Sequence, residues 1–343
     1  MPSALRVGLL GCGRLGSEVM LPLLCARTDV QVTVLADPDE TARARAAARR
    51  PTARAAADWR AALERPDLDA VVVTLPTALH AEVALAAIAR GLALYLEKPL
   101  ASTVEQADAI RDACRGRALT VALGFNARFH PLLMQMRQHV RDGHIGEPRL
   151  LRATFSVAAR YEGSWRHHAV QAGGVLHDLA SHHVDLAHYL LDRALVRVRA
   201  TRATPDDGGE TVAATGEING GIVFSGTRAS GTIDEDAVEV VGTRGSVRLS
   251  RYEDLTLDTR GCATPGAGAR VARVVPSAQA IRFSLARRAA PWNDPSFGAA
   301  LDNFITAARR GATVIPGVDE GWYAARAVAA IDQAARTGRT VDL

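Results

Sequence analysis

The chain has 343 residues, with 41 Lys+Arg against 37 Asp+Glu and a formal charge of +4. Its 48% hydrophobic and 23% charged content excludes a disordered chain, and its length exceeds one compact core, so two domains are expected. Acids and bases interleave along the chain, which argues against a nucleic-acid partner. No apolar run reaches the roughly 20 residues of a membrane span. Four scattered cysteines (Cys12, Cys25, Cys114 and Cys262) form no zinc-type spacing. A reduced, cytoplasmic protein without an export signal is the expectation.

The first 125 residues alternate between short Val- and Leu-rich runs and Ala-rich helical stretches. The runs are Leu5–Leu10, Val30–Ala36, Asp69–Leu75, Leu92–Leu96 and Leu119–Phe125. Their continuous hydrophobicity suits parallel strands buried on both faces. Helices are expected at Thr77–Arg90 and Thr103–Arg115, the second with a capping box of Ser102 and Glu105 and a stop at Gly116. Alternating strands and helices specify a doubly wound α/β sheet over 1–125.

Beyond Phe125 the texture changes, and 126–343 is expected to form a second α/β domain. A helix at Pro131–Arg141 and a turn lead into a strand at Arg149–Ala158, then a helix at Val175–Leu191. Alternating runs follow at Val196–Thr204, Thr211–Ile218, Ile222–Ala229, Ala237–Val241 and Ser246–Leu249. Separated by turns such as Asn219-Gly220-Gly221, they predict an open, mainly antiparallel sheet. Residues 259–293, rich in Gly, Ala, Pro and Arg, are expected to be mainly loop. Amphipathic helices at Phe297–Arg310 and Val318–Arg336 close the chain.

Gly11-Cys12-Gly13-Arg14-Leu15-Gly16 is a G-x-G-x-x-G that follows a strand and opens a helix. Asp37 ends the next strand, at the spacing of a dinucleotide fingerprint. Gly11 permits the tight turn, Gly13 lets backbone approach a pyrophosphate, and Gly16 allows close helix–strand packing. The helix N-terminus offers N–H groups to phosphate. Asp37 suits the two ribose hydroxyls of NAD, whereas Arg14 could reach a 2′-phosphate. NAD is preferred and NADP stays open.

All but one of the 41 cations are arginine, and the exception is Lys98. A lysine retained where arginine serves everywhere else points to work a guanidinium cannot do. Lys98 sits in Glu97-Lys98-Pro99 at the carboxyl end of the fifth strand, the edge where open α/β sheets bind ligands. Pro99 admits a cis peptide there. Thr74-Leu75-Pro76 ends the preceding strand on the same edge, with His80 one turn into the next helix. Thr74, Leu75, Pro76, His80, Glu97 and Lys98 are therefore candidate cofactor contacts.

Asp178, His182 and Asp185 share one face of the Val175–Leu191 helix, and six of the ten histidines fall between His167 and His188. Metal binding by His177, Asp178 and His182 is the rival reading. No H-e-x-x-h spacing supports it, and hydride transfer needs no metal, so no metal is expected. Oxidising a secondary alcohol requires a base, and a histidine oriented by a carboxylate provides one near neutral pH.

In this order the glycine turn, Glu97-Lys98-Pro99, Gly124–Phe129, the Asp178-x-x-x-His182 helix and the closing helices resemble one family. It is the glucose–fructose oxidoreductase / inositol dehydrogenase / rhizopine-catabolism family, and the resemblance covers the chain except roughly 259–293. It implies a Rossmann domain followed by an α/β domain whose open sheet mediates a homodimer or homotetramer. It also implies NAD(P)-dependent oxidation or reduction of a sugar or cyclitol. Carried over by position, Lys98, Asp178 and His182 form the catalytic triad, with the acid/base role open between Lys98 and His182. Asn126 would lie near the nicotinamide, and Arg128, Trp165 and Arg166 near the substrate. Two departures, Ala172 in the family's glycine triplet and Ala180 between Asp178 and His182, each add a methyl group.

The substrate is less legible. Arg260, Arg270, Arg273, Arg282, Arg287 and Arg288 crowd a stretch without acids, which fits either an anionic sugar derivative or a solvated surface. Two other classes share this fold: a redox-neutral enzyme that retains NAD, and a nicotinamide-sensing regulator. Lys98 and His182 argue against the regulator.

Overall fold

The computed structural model describes residues 4–158, 174–204, 209–261, 271–274, 278–289 and 294–343. In chain order the first elements are β1 (Leu5–Leu10), a π-helical turn (Gly16–Met20) running into α1 (Leu21–Cys25), β2 (Val30–Ala36) and α2 (Glu40–Arg49). Next come β3 (Arg54–Ala56), α3 (Trp59–Leu63), β4 (Ala70–Val73), α4 (His80–Ala89), β5 (Ala93–Leu96), α5 (Val104–Cys114) and β6 (Val121–Leu123). The chain continues through α6 (Pro131–Arg141), β7 (Pro148–Val157), α7 (Gly174–Leu191), β8 (Leu195–Ala203), β9 (Thr211–Ile218), β10 (Ile222–Ser230), β11 (Glu235–Gly242) and β12 (Gly245–Ser250). It closes with β13 (Leu257–Gly261), β14 (Val271–Val274), α8 (Ala278–Ala289), α9 (Ser296–Arg310), α10 (Val318–Thr337) and β15 (Val341–Asp342).

The backbone gathers into two units, Met1–Asn126 with Asn293–Ala325, and Ala127–Trp292 with Arg326–Leu343. Residues 293–325 thus pack with the first unit. Thr120 donates its hydroxyl to the Ala312 carbonyl at 2.6 Å, and Trp322 donates its indole N–H to Asp108 at 2.6 Å.

The first unit is built on a six-stranded parallel sheet in the order β3-β2-β1-β4-β5-β6. Leu9, Leu10, Val71, Val72, Leu94 and Leu96 have no exposure, which is why these strands read as unbroken apolar runs. The order reverses between β1 and β4, so the ends of β1, β4 and β5 lie side by side. The cap of α5 falls one residue later than expected. Thr103 accepts from the Gln106 N–H at 3.2 Å, and the Gln106 amide oxygen accepts from the Ser102 N–H at 3.1 Å. Gln106 can stand in for glutamate in this reciprocal arrangement.

The second unit holds a nine-stranded sheet in the order β14-β13-β12-β11-β7-β10-β9-β8-β15. Every neighbouring pair is antiparallel except β7 with β10. The β9–β10 hairpin turns through Gly220 and Gly221 at φ of 91° and 74°, which glycine adopts without a Cβ penalty. Residues 259–293 correct the loop expectation. β13 ends there, β14 pairs with it from Leu257↔Val274 to Arg260↔Val271, and α8 follows. Val271 and Val274 supply the strand signal that the surrounding Gly and Pro obscured.

Candidate functional site

The site is built from the sheet edge of the first unit upward. At the end of β1 the chain turns at Gly11, whose φ is +101° and whose Cβ would meet the Thr74 carbonyl carbon at 2.7 Å. A Cβ on Gly16 would collide with the Gly11 carbonyl oxygen. A Cβ on Gly13, by contrast, would find nothing within 4 Å. Two glycines are thus required by packing, and the third leaves an open approach above the backbone. Residues 14–25 run as continuous helix, with Arg14 and Glu18 paired at 3.7 Å on its exposed side.

Asp37 fastens the turn from below. One carboxylate oxygen accepts the Cys12 N–H at 2.6 Å, the other accepts the Asp39 N–H at 2.9 Å. A carboxylate so held keeps lone pairs for two hydroxyl donors. Arg43 is directed instead to the Asp37 backbone carbonyl, at 2.6 Å. Burial, with help from Asp37, pushes the Cys12 thiol up to about 12, so it stays protonated and unreactive. An open glycine, a helix start and a fixed acid on adjoining strand ends fit a dinucleotide.

Thr74 joins this turn to the next strand end, its hydroxyl donating to the Gly11 carbonyl at 2.8 Å. Leu75 and Pro76 follow, leading to α4 and His80. His80 is 1% exposed, with Nδ1 at 2.7 Å from the Pro99 carbonyl and Nε2 at 2.9 Å from that of Leu75. It is thus packed inside the edge. On β5, Glu97 is buried and its carboxylate accepts the Lys98 N–H at 3.2 Å. Gly124 makes room for that carboxylate, because a Cβ there would lie 2.6 Å from Glu97 Oε2. Lys98 is half-buried, and the Lys98–Pro99 peptide is cis. Asn126 is buried, its amide donating to the Ser296 hydroxyl at 2.8 Å, which donates to Asp294 at 2.7 Å. That relay was missed from sequence because Ser296 lies 170 residues away.

In the second unit, α7 packs its apolar side on β7 and β10. His182 is half-buried, its ring centroid 5.9 Å from that of Phe155. Asp178 lies on α7 as expected, with a side chain outside the description, as is that of His177. Trp165 and Arg166 fall outside the described residues. Arg128 is enclosed: Nε and Nη2 meet Asp185 at 2.9 and 2.6 Å, with the two side chains 6% and 2% exposed. This pair ties the segment after Asn126 to α7. Among the crowded arginines, Arg260 is on β13, Arg273 on β14 and Arg282 on the exposed side of α8; Arg287 and Arg288 lie on α8 with side chains undescribed, and Arg270 is outside the description.

A second buried cluster was not anticipated. His183 Nε2 and Asp236 Oδ1 are 3.0 Å apart, and Arg251 donates to the other Asp236 oxygen at 2.6 Å. Burial alone would raise the Asp236 pKa, but Arg251 and His183 more than offset it and hold the group ionised. Burial likewise lowers His183 below its usual value. Arg228 and Asp236 both pair with Phe155 across the strands, on either side of it. The signal was available: both charges occupy the inward parity of strands whose other inward residues, such as Phe224 and Val238, are apolar.

A doubly wound dinucleotide-binding unit joined to an open-sheet α/β unit, with lysine on the cofactor edge, is the plan of a nicotinamide-dependent oxidoreductase. The profile of an oxidoreductase family with an NAD-binding Rossmann fold matches residues 5–125, and that of its C-terminal alpha/beta domain matches 137–343. The chain belongs to this family, that of glucose–fructose oxidoreductase and inositol dehydrogenase. Levoglucosan dehydrogenase of Pseudarthrobacter phenanthrenivorans is 29% identical over 72% of this chain and 67% of its own. The dTDP-3,4-didehydro-2,6-dideoxy-alpha-D-glucose 3-reductase of Streptomyces violaceoruber is 35% identical over 57% of each chain. Inositol 2-dehydrogenase 2 of Saccharopolyspora erythraea is 32% identical over 59% of this chain and 57% of its own. The alignments therefore leave part of each relative unmatched. A solved levoglucosan dehydrogenase, in complex with NADH and levoglucosan, shares the fold with a TM-score of 0.84 over 99% of both chains, at 24% identity.

Proposed function

We propose that the protein interconverts a secondary alcohol and a ketone on a sugar, cyclitol or sugar derivative, with NAD preferred over NADP. Bound NAD supplies the hydride acceptor. Gly11, Gly13 and Gly16 shape the phosphate approach, and Asp37 holds the ribose hydroxyls and disfavours a 2′-phosphate. Lys98 polarises the reacting oxygen, His182 exchanges the hydroxyl proton, and Asp178 orients the imidazole. Trp165 and Arg166 contact the substrate. Arg128 acts from behind through Asp185. The observation that carries this reading is the sheet edge itself, with a held Asp37, an open Gly13 and Lys98 on neighbouring strand ends. Relatives named for levoglucosan, inositol and a dTDP-linked sugar support the substrate class, and the last keeps an anionic sugar in view.

The described residues contain no helix long and apolar enough to cross a membrane, and a cytoplasmic location is part of this reading. So is a homodimer or homotetramer through the outer face of the nine-stranded sheet, where Val223 is 50% exposed. Reduction of NAD with a panel of cyclitols, anhydrosugars and nucleotide-linked sugars tests the assignment. Steady NADH formation with one class is expected. Absence of turnover across the panel with either cofactor, despite NADH binding, would overturn it.

A further inference from the structure

His80 makes two contacts that one neutral ring cannot satisfy. Both nitrogens face backbone carbonyl oxygens, Pro99 at 2.7 Å and Leu75 at 2.9 Å. Carbonyl oxygens only accept. A neutral imidazole carries one N–H, so its second nitrogen would turn a lone pair toward an oxygen at bonding distance. The two contacts are attractive together only when both nitrogens are protonated, and they then become charge-assisted.

Two effects oppose that second proton. Burial is the larger, and the charge of Lys98 adds to it, while the two carbonyls pull the other way. The result lies below the usual value of 6.5. Other charges near α4 are directed elsewhere. Glu82 pairs with Arg60 in the solvent, Asp108 of α5 accepts the Trp322 indole, and the Glu97 carboxylate fills the space beside Gly124.

The two carbonyls belong to the parts that matter. Pro99 follows Lys98 directly. Leu75 follows Thr74, whose hydroxyl holds the glycine turn at Gly11. We propose that His80 is a positioning residue: its ring clamps the Lys98-Pro99 turn to the strand end that supports the glycine turn, fully so only as an imidazolium, whose second proton competes with the Lys98 ammonium. Protonation of a residue that faces neither solvent nor substrate then sets how firmly the lysine is held. The catalytic consequence rests on the reading of Lys98 given above, whereas the clamp does not.

The test is NMR of the ring nitrogens in isotope-labelled histidine, titrated in the wild type and in Lys98→Met, with His80→Gln assigning the signal. In the wild type both His80 nitrogens carry protons at the acid end, protected from exchange. In Lys98→Met that state persists to higher pH, because a like charge that opposes the second proton is gone. Alongside, His80→Leu lowers kcat by about 10²-fold, the scale of a slightly displaced reacting group, with NADH binding retained, and His80→Gln recovers part of the loss. A His80 titration that Lys98→Met leaves unmoved overturns the proposal, whatever the lysine does in catalysis. A shifted titration in a protein whose Lys98→Met variant turns over normally upholds the clamp and overturns the lysine assignment instead.

Discussion

His80 in the first unit and His183 in the second are both buried imidazoles, and burial is the main force lowering the pKa of each. Their partners separate them. His183 faces a carboxylate that Arg251 keeps ionised, so its neutral form donates one N–H to Asp236, while Nδ1 is buried and meets no oxygen that would demand a second proton. His80 faces two carbonyls and is satisfied in only one of its protonation states. The first arrangement is a brace and the second is poised. Polar partners, more than burial, decide whether an enclosed histidine is inert or sensitive to its surroundings.

Asp236→Asn removes the counter-charge from a buried Arg251 and should cost about 3–5 kcal/mol, the usual penalty for orphaning one buried ion. Urea unfolding measures it. A loss under about 1 kcal/mol would mean that the brace is not electrostatic. Arg128→Met should cost a similar amount through Asp185, and the double variant Arg128→Met/Asp185→Leu should recover part of it.

Gly11→Ala probes the other unit. At a φ of +101° with backbone in the way, it should destabilise by about 1–3 kcal/mol and weaken NADH binding, read by fluorescence titration. Gly13→Ala should fold normally, since its Cβ meets no protein atom, and lose cofactor affinity alone.

The smallest effect is on pH dependence. Both histidines bind a proton less readily folded than unfolded, so the unfolded chain takes up more protons as pH falls below 6.5. Stability therefore declines on acidification from that point toward the folded-state values. Urea midpoints measured from pH 7 downward should show this slope, and His80→Gln should flatten part of it. A slope that appears only where carboxylates titrate would contradict both assignments.

Much of this architecture was readable from residue order. Unbroken Val and Leu runs announced strands buried on both faces, and Gly11, Gly13, Gly16 and Asp37 announced the tight turn after β1 and the carboxylate that fastens it, because local backbone geometry demands those residues. The lone Lys98 marked the edge by composition. What stayed hidden depends on distant partners. His80 read as a cofactor contact because nothing nearby in the chain says that Pro99 and Leu75 enclose it. Arg128 read as a substrate contact, and its buried pairing with Asp185, 57 residues on, left no trace in the local sequence. The β13–β14 pair was lost among glycines and prolines, since strands of five and four residues carry too little periodicity to stand out. Asp236 was the exception, a charge on an inward strand position that periodicity alone could have singled out.

The most direct test is the rate of NAD reduction by Lys98→Met and His182→Ala, each with its NADH affinity measured beside it. The catalytic role given to both residues requires that each variant bind NADH as the wild type does and lose about 10²–10⁴-fold in kcat, the range for a positioned proton-transfer group. Two variants that bind cofactor and turn over substrate at the wild-type rate would contradict it.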